Sequence, residues 1–145
     1  MPSHQSFTIT RSFDGDLAEL LSLEADTARW PEWAGAPFDR FRWESPPPAD
    51  LGEGAVRRLA AGPIALVERT VSYVPGEHHT YSMDPVAGMR AYSATLSVSA
   101  DDVGRGVLTW NVDFDTAVPG SGPVLRFAME RTISLLADRL VAAGR

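Results

Sequence analysis

Apolar and polar residues alternate with a period of two along most of this chain, and at its C-terminal end the spacing changes to that of a helix. Residues 7–13 set Phe7, Ile9 and Phe13 against Thr8, Thr10 and Ser12, the signature of a half-buried strand, with Arg11 as an exception on the apolar side. The same pattern predicts strands over 38–44, 55–60, 64–74, 78–83, 90–99 and 107–114, seven in all, separated by Gly-, Pro- and Asp-rich turns. Between the first two strands, residues 17–23 and 26–30 read as short helical pieces. The second is capped by Asp26 or Thr27 and stops near Arg29, because Pro31 restricts the residue before it. Residues 123–143 form the one long helix. Leu125, Ala128, Met129, Ile133, Leu136 and Leu140 make its apolar stripe, while Arg126, Glu130 and Asp138 point away. A single amphipathic helix beside seven strands needs a sheet to cover it. The expected architecture is therefore α+β, a curved antiparallel sheet gripping the C-terminal helix.

Strand parity then sorts the candidate site residues. Tyr81 shares a face with His79 and Met83, Tyr92 with Ala94, Leu96 and Val98, and Trp110 with Leu108, Val112 and Phe114. These faces are the apolar ones, so Tyr81, Tyr92 and Trp110 should point towards the helix, each carrying an O–H or N–H that wants a partner when buried. Packing alone accounts for any one of them. Their convergence with Met129 predicts an internal cavity of about 300–1,000 Å3, with its mouth near Gly62 and Val86. Glu68 stands in the middle of the longest strand, IALVERTVSYV, where both faces are partly apolar, so parity does not decide its direction. Inward, its carboxylate needs a cation or a raised pKa, and Arg57 one strand back is the nearest partner; outward, it makes a surface pair of little consequence. Trp30 and Trp33, in ARWPEW, read as structural anchors beside a chain reversal.

Composition narrows the function. With 145 residues, 44% of them hydrophobic, residues 1–145 make one domain around one core. The net charge is −6 and the basic residues are all arginine and scattered, which argues against a nucleic-acid or anionic-membrane surface. No apolar run reaches the ~18 residues of a membrane span, and the first ten residues lack the blocks of a signal peptide. The absence of cysteine removes disulfides and thiolate chemistry and fits a cytoplasmic protein. No Gly-rich phosphate loop is present, so no nucleotide cofactor is expected. No metal is expected either: His4 is N-terminal, and His78 and His79 are adjacent on a strand and face opposite ways. A serine triad would have only His79 as an inward base.

The order of elements, with ARWPEW after the short helices, GAVRRL opening one strand and VERTV followed by PGE in the next, resembles the START-like helix-grip superfamily. More closely it is similar to the bacterial polyketide cyclase/dehydrase-type branch of these SRPBCC proteins. The resemblance spans residues 7 to about 142. It implies a seven-stranded sheet around the terminal helix, two short helices after the first strand, and a deep cavity for an apolar or aromatic small molecule. The family's mid-strand glutamate matches Glu68, which turns it inward, and the arginine of the preceding strand matches Arg57 or Arg58. Arg57 is chosen because it shares parity with Ala55 and Leu59. The resemblance also implies movable covers at residues 60–63 and 84–90. Two functions follow as expectations. The first is binding of a hydrophobic or aromatic molecule by Arg57, Glu68, Tyr81, Tyr92, Trp110 and Met129. The alternative is a cyclase or dehydratase in which Glu68 moves a proton during aldol-type ring closure or loss of water. The sequence shows no clear catalytic pair at a matching position, and the fold hosts both functions.

Overall fold

Seven strands form one antiparallel sheet in the order β1-β7-β6-β5-β4-β3-β2. The structure, a computed structural model, describes residues 3–35, 38, 40–45, 53–61 and 64–144. The strands are β1 (Ser3–Phe13), β2 (Phe41–Ser45), β3 (Val56–Ala61), β4 (Ile64–Val74), β5 (His78–Met83), β6 (Met89–Ala100) and β7 (Gly106–Thr116). The helices are α1 (Leu17–Ala25) and α2 (Gly122–Ala143), with a 3-10 turn at Thr27–Glu32. This is the helix-grip arrangement expected from the sequence. The triple proline at 46–48 and Gly62 lie outside the described residues. Among the described residues no helix is long and apolar enough to cross a membrane.

Each strand buries the face that its alternation predicts. His79, Tyr81 and Met83 of β5, Tyr92, Ala94, Leu96 and Val98 of β6, and Leu108, Trp110, Val112 and Phe114 of β7 are all buried. Two irregularities break the alternation and matter for the site. In β4, Thr70 pairs with Tyr81 and Ser72 with Thr80, so Val71 is an extra residue. That bulge leaves Val71 exposed and lets Tyr73 join Glu68 and Thr70 on the inner face, where its ring meets His79 at 5.9 Å. The two-sided apolar pattern of β4 is therefore one inner face read through a one-residue slip. In β6 a second bulge lies between Arg90 and Ser93, with Ala91 at a φ of 52°, and it allows Met89 and Tyr92 to be buried together although they stand three residues apart.

Two expectations about the helices are corrected. Pro31 lies inside the 3-10 turn, which runs on to Glu32. Its ring removes one N–H, and the turn is held instead by the main-chain N–H groups of Trp33 and Ala34, both donating to the carbonyl of Trp30. The stripe of α2 is buried only in its second half. Ile133, Leu136 and Leu140 are inside, whereas Leu125 and Met129 are half-buried and Ala128 is exposed, because the first half of the helix stands over an open chamber rather than a filled core. Arg11, the exception on β1, reaches across to α2 and donates from Nε to Asp138 at 2.7 Å.

Leu136 lies on the filled side and is 4% exposed. Truncation by Leu136→Ala is expected to cost about 2–5 kcal/mol, since the surrounding sheet cannot collapse fully into the space left. Urea denaturation should show a lower midpoint with an unchanged slope; an unchanged midpoint would mean that the helix is not held by this contact.

Candidate functional site

The site begins with a helix end that the sequence completes in an unusual way. The last carbonyls of an α-helix have no partners within the helix, and α1 has no basic residue in its last turn to meet them. Two indoles serve instead. Trp33 donates from Nε1 to the carbonyl of Leu23, and Trp30 from Nε1 to that of Glu24, both at 2.8 Å. The two rings pack 4.8 Å apart, and both are buried. The tryptophans of ARWPEW are thus anchors, as the sequence indicates, and what they anchor is the turn carrying Glu24.

Glu24 is completely buried and faces Arg57 of β3 and His79 of β5. Sequence reasoning missed it. The signal was present, because Glu24 follows Leu20 and Leu21 at helical spacing and so sits on the apolar stripe of α1. Arg57 is 3% exposed and directly opposite Glu68 across the β3–β4 ladder. Its guanidinium makes four hydrogen bonds within the protein and one further close contact with a carboxylate. Nε donates to Glu68 Oε1 at 2.8 Å, and Nη2 meets the same oxygen at 2.7 Å. Nη2 also donates to Glu24 Oε1 at 2.8 Å. Nη1 donates to the Glu24 carbonyl at 2.8 Å and to Thr27 Oγ1 at 3.1 Å. The flat cation also lies 4.9 Å from the ring of Trp30 and 5.3 Å from that of Tyr81. The other oxygen of Glu24, Oε2, is 2.6 Å from His79 Nδ1, and His79 Nε2 is 3.1 Å from the hydroxyl of Thr70.

One guanidinium is therefore shared by two buried carboxylates, and their environments push them apart. Burial raises the pKa of Glu24, but the charges and hydrogen bonds of His79 and Arg57 outweigh it and hold the group below the ordinary glutamate range. Glu68 goes the other way. Burial raises it, the nearby negative charge of Glu24 adds to this, and Arg57 offsets only part. Both Arg57 contacts fall on Oε1, and Glu68 also lines the inner chamber. Among the described residues no group of three or more His, Asp and Glu is placed to hold a metal ion.

The space between α2 and the sheet is divided in two. An outer chamber of about 390 Å3 opens to solvent between β4, the β5–β6 turn and the first half of α2, with walls that include Phe38, Leu66, Met83, Val86 and Met129. Its turn is tightly built: Val86 and Met89 exchange main-chain hydrogen bonds of 3.1 and 2.8 Å, and Ala87 and Gly88 between them both have positive φ, the geometry of a two-residue hairpin. Deeper in lies an inner chamber of about 30 Å3, bounded by Glu68, Tyr81, Tyr92, Trp110 and Met129. Leu66, Met83 and Met129 belong to both walls, so the two spaces adjoin at these side chains. The sequence expectation of one ligand-sized cavity around Tyr81, Tyr92, Trp110 and Met129 is thereby corrected. The three aromatic side chains and their neighbours fill most of that volume, and the ligand-sized part lies nearer the mouth, at Val86 and Met129. Arg57 lines neither chamber; its hydrogen bonds go to Glu24, Glu68 and Thr27.

The polar side chains that line the inner chamber beside Glu68 are neutral. Burial raises Tyr81 well above the ordinary tyrosine value, and it raises Tyr92 likewise. Both stay phenols at any pH at which the protein would work. Trp110 is 1% exposed, and its Nε1–H has no acceptor among the described residues.

The comparisons with known proteins bear on this fold and family. The solved structures similar to the chain include a START superfamily protein from Mycobacterium smegmatis, with a TM-score of 0.76 at 16% identity, covering 98% of this chain and 97% of that one. A protein of unknown function from Staphylococcus aureus gives 0.78 at 11% identity, over 98% and 94% of the two chains. Norcoclaurine synthase from Thalictrum flavum, solved in complex with dopamine and hydroxybenzaldehyde, gives 0.75 at 10% identity, over 97% and 86%. At these identities the likeness is one of fold. No curated protein matches the sequence. The sequence does match one family over residues 4–145, nearly its whole length, and it is on this match, joined to the helix-grip architecture, that the chain belongs to the polyketide cyclase / dehydrase and lipid transport family.

Proposed function

We propose that this protein binds a hydrophobic or aromatic small molecule between the sheet and α2, with the apolar body in the outer chamber and a polar end directed at Glu68, Tyr92 and Trp110. The observation that carries this is the outer chamber itself: about 390 Å3, walled almost wholly by apolar side chains, and ending at the few polar groups of the domain's interior that face a cavity. Arg57 then acts as a positioning residue, fixing Glu68 through Oε1 at the chamber wall. The family description and a structural neighbour that holds two small aromatic molecules support the same class of ligand. Nothing in the reading needs a cofactor, a metal, a nucleic acid or insertion into a membrane, and it suits a cytoplasmic protein.

The test uses a neutral fluorophore, N-phenyl-1-naphthylamine, titrated into the protein. Wild type should bind it in the micromolar range or better. Ala128→Trp fills the outer chamber from an exposed position of α2, so the fold should stand while affinity drops at least tenfold. Equal binding by the two proteins would place the ligand elsewhere and refute the reading.

A second reading, a cyclase or dehydratase of the family's type, is favoured by one observation, a buried Glu68 in the chamber wall, where desolvation raises its carboxyl above the ordinary glutamate range. Such a carboxyl can, when protonated, give a proton to a leaving hydroxyl or, once ionised, take one from an activated carbon. Glu68→Gln should then retain binding of a poly-β-ketone and lose its turnover by about 100-fold or more, the contribution of a general acid or base. Turnover that persists in the variant removes Glu68 from the chemistry.

A further inference from the structure

We infer that the ligand of this cavity is a neutral molecule that enters carbonyl first, its oxygen accepting a hydrogen bond from Trp110 in the inner chamber. The inference deepens the binding reading above and rests on it. Trp110 is the one residue with a buried side-chain nitrogen or oxygen that lacks a partner among the described residues. Buried donors are nearly always satisfied, and leaving one unpaired costs more than a hydrogen bond normally gains, so this indole is poised to recover that loss when an acceptor arrives. It stands in the wall of a chamber of about 30 Å3, room for a single oxygen-sized group and not for a ring.

The neighbouring groups select the chemistry of that group. Tyr81 and Tyr92 line the same chamber, and both remain phenols. Each phenol carries an O–H that can donate, so the chamber presents phenol and indole donors. A carbonyl oxygen can accept from both and requires nothing in return. An ammonium could pair with Glu68 but has no acceptor for the Trp110 N–H, so it would leave the indole unpaired. A carboxylate would meet Glu68 in the wall and Glu24 behind it, and Arg57, already held by both glutamates and Thr27, does not line the chamber to offset them. A hydrocarbon would fill the outer chamber and leave the indole as it is. The ordering expected is therefore ketone above hydrocarbon and acid below both, with any binding of the amine independent of Trp110.

Four matched naphthalenes separate these cases: 2-acetylnaphthalene, 2-ethylnaphthalene, 2-naphthoate and 2-(aminomethyl)naphthalene, titrated by calorimetry into wild type and Trp110→Phe. Wild type should bind the ketone on the order of tenfold more tightly than the hydrocarbon, as one recovered buried hydrogen bond allows. In Trp110→Phe the preference should vanish while the hydrocarbon binds as before. If the variant does not fold, the indole N–H resonance of Trp110 in wild type serves instead, and it should move downfield with the ketone and not with the hydrocarbon. Equal affinity of ketone and hydrocarbon for wild type, or an unmoved resonance, would overturn the inference and leave the binding reading standing. Binding of none of the four would overturn both.

Discussion

Arg57→Ala is expected to destabilise the protein by about 3–5 kcal/mol, the range found when one partner is removed from a buried ion pair. Two carboxylates would then face each other inside the protein with no guanidinium between them, and the Glu24 carbonyl and Thr27 hydroxyl would lose their shared donor. Since a domain of this size has only about 5–15 kcal/mol of stability, much of it would be gone. The pH dependence gives a second readout. Without Arg57, Glu68 loses the partner that offsets its burial and its folded-state pKa rises further, while Glu24 keeps only His79 to lower it. A raised carboxyl binds its proton more tightly folded than unfolded, so its stabilising contribution is present at low pH and is lost as pH rises through the raised value. The variant should therefore be least deficient below the ordinary glutamate range and fall further behind wild type towards neutrality. In wild type the two residues oppose each other: the contribution of Glu24, whose pKa is lowered, fades as pH falls, and that of Glu68, whose pKa is raised, fades as pH rises. Adding Glu24→Gln and Glu68→Gln to Arg57→Ala should restore part of the stability by removing the charges. Urea denaturation across pH checks all three expectations, and a loss below 1 kcal/mol at neutral pH would show that the cluster is not the buried ion network described.

Trp30→Ala should have an effect of similar size, about 3–5 kcal/mol, for a different reason. The indole is 2% exposed and packs against Trp33 and Phe38. It also donates to the Glu24 carbonyl and lies beneath the Arg57 guanidinium. Truncation opens a cavity, frees a helix-terminal carbonyl from one of its two donors and removes a face of the cage around the cation. Trp30→Phe keeps most of the packing and loses the N–H, so it should cost clearly less, and the difference between the two variants measures the packing share. Because Trp30 also borders the inner chamber, the alanine variant should weaken ketone binding as well as stability. Thermal denaturation of the two variants decides the matter: if they are equally destabilised, the hydrogen bond, not the packing, is what the tryptophan contributes.

Glu68 shows where local pattern stopped being informative. Its place in the middle of β4 was plain, and its neighbours pointed both ways, because a bulge at Val71 shifts the alternation by one residue. A bulge depends on how β4 registers against β5, and that register is settled by pairing, not by the strand alone. Where no bulge intervened, parity read correctly: Tyr81 and Trp110 lie inside as their alternation requires. Tyr92 lies inside too, with its alternation through Val98 intact and the bulge of β6 falling before it.

The sequence by itself determined the elements and the family. Strands of period two, one long amphipathic helix and the turns between them are set by side-chain chemistry within a few residues, and they leave one way to bury the helix's stripe. The Arg57 and Glu68 pairing was also legible, because it joins adjacent strands of one hairpin. The tertiary structure alone decided the rest. Glu24 meets Arg57 across 33 residues of chain and His79 across 55, and no local rule brings a helix residue to those strands. The split of the cavity was likewise beyond the sequence. Whether three inward aromatics leave a ligand-sized void or fill it depends on how their rings fit together, a matter of close packing among distant parts of the chain that no spacing along it encodes.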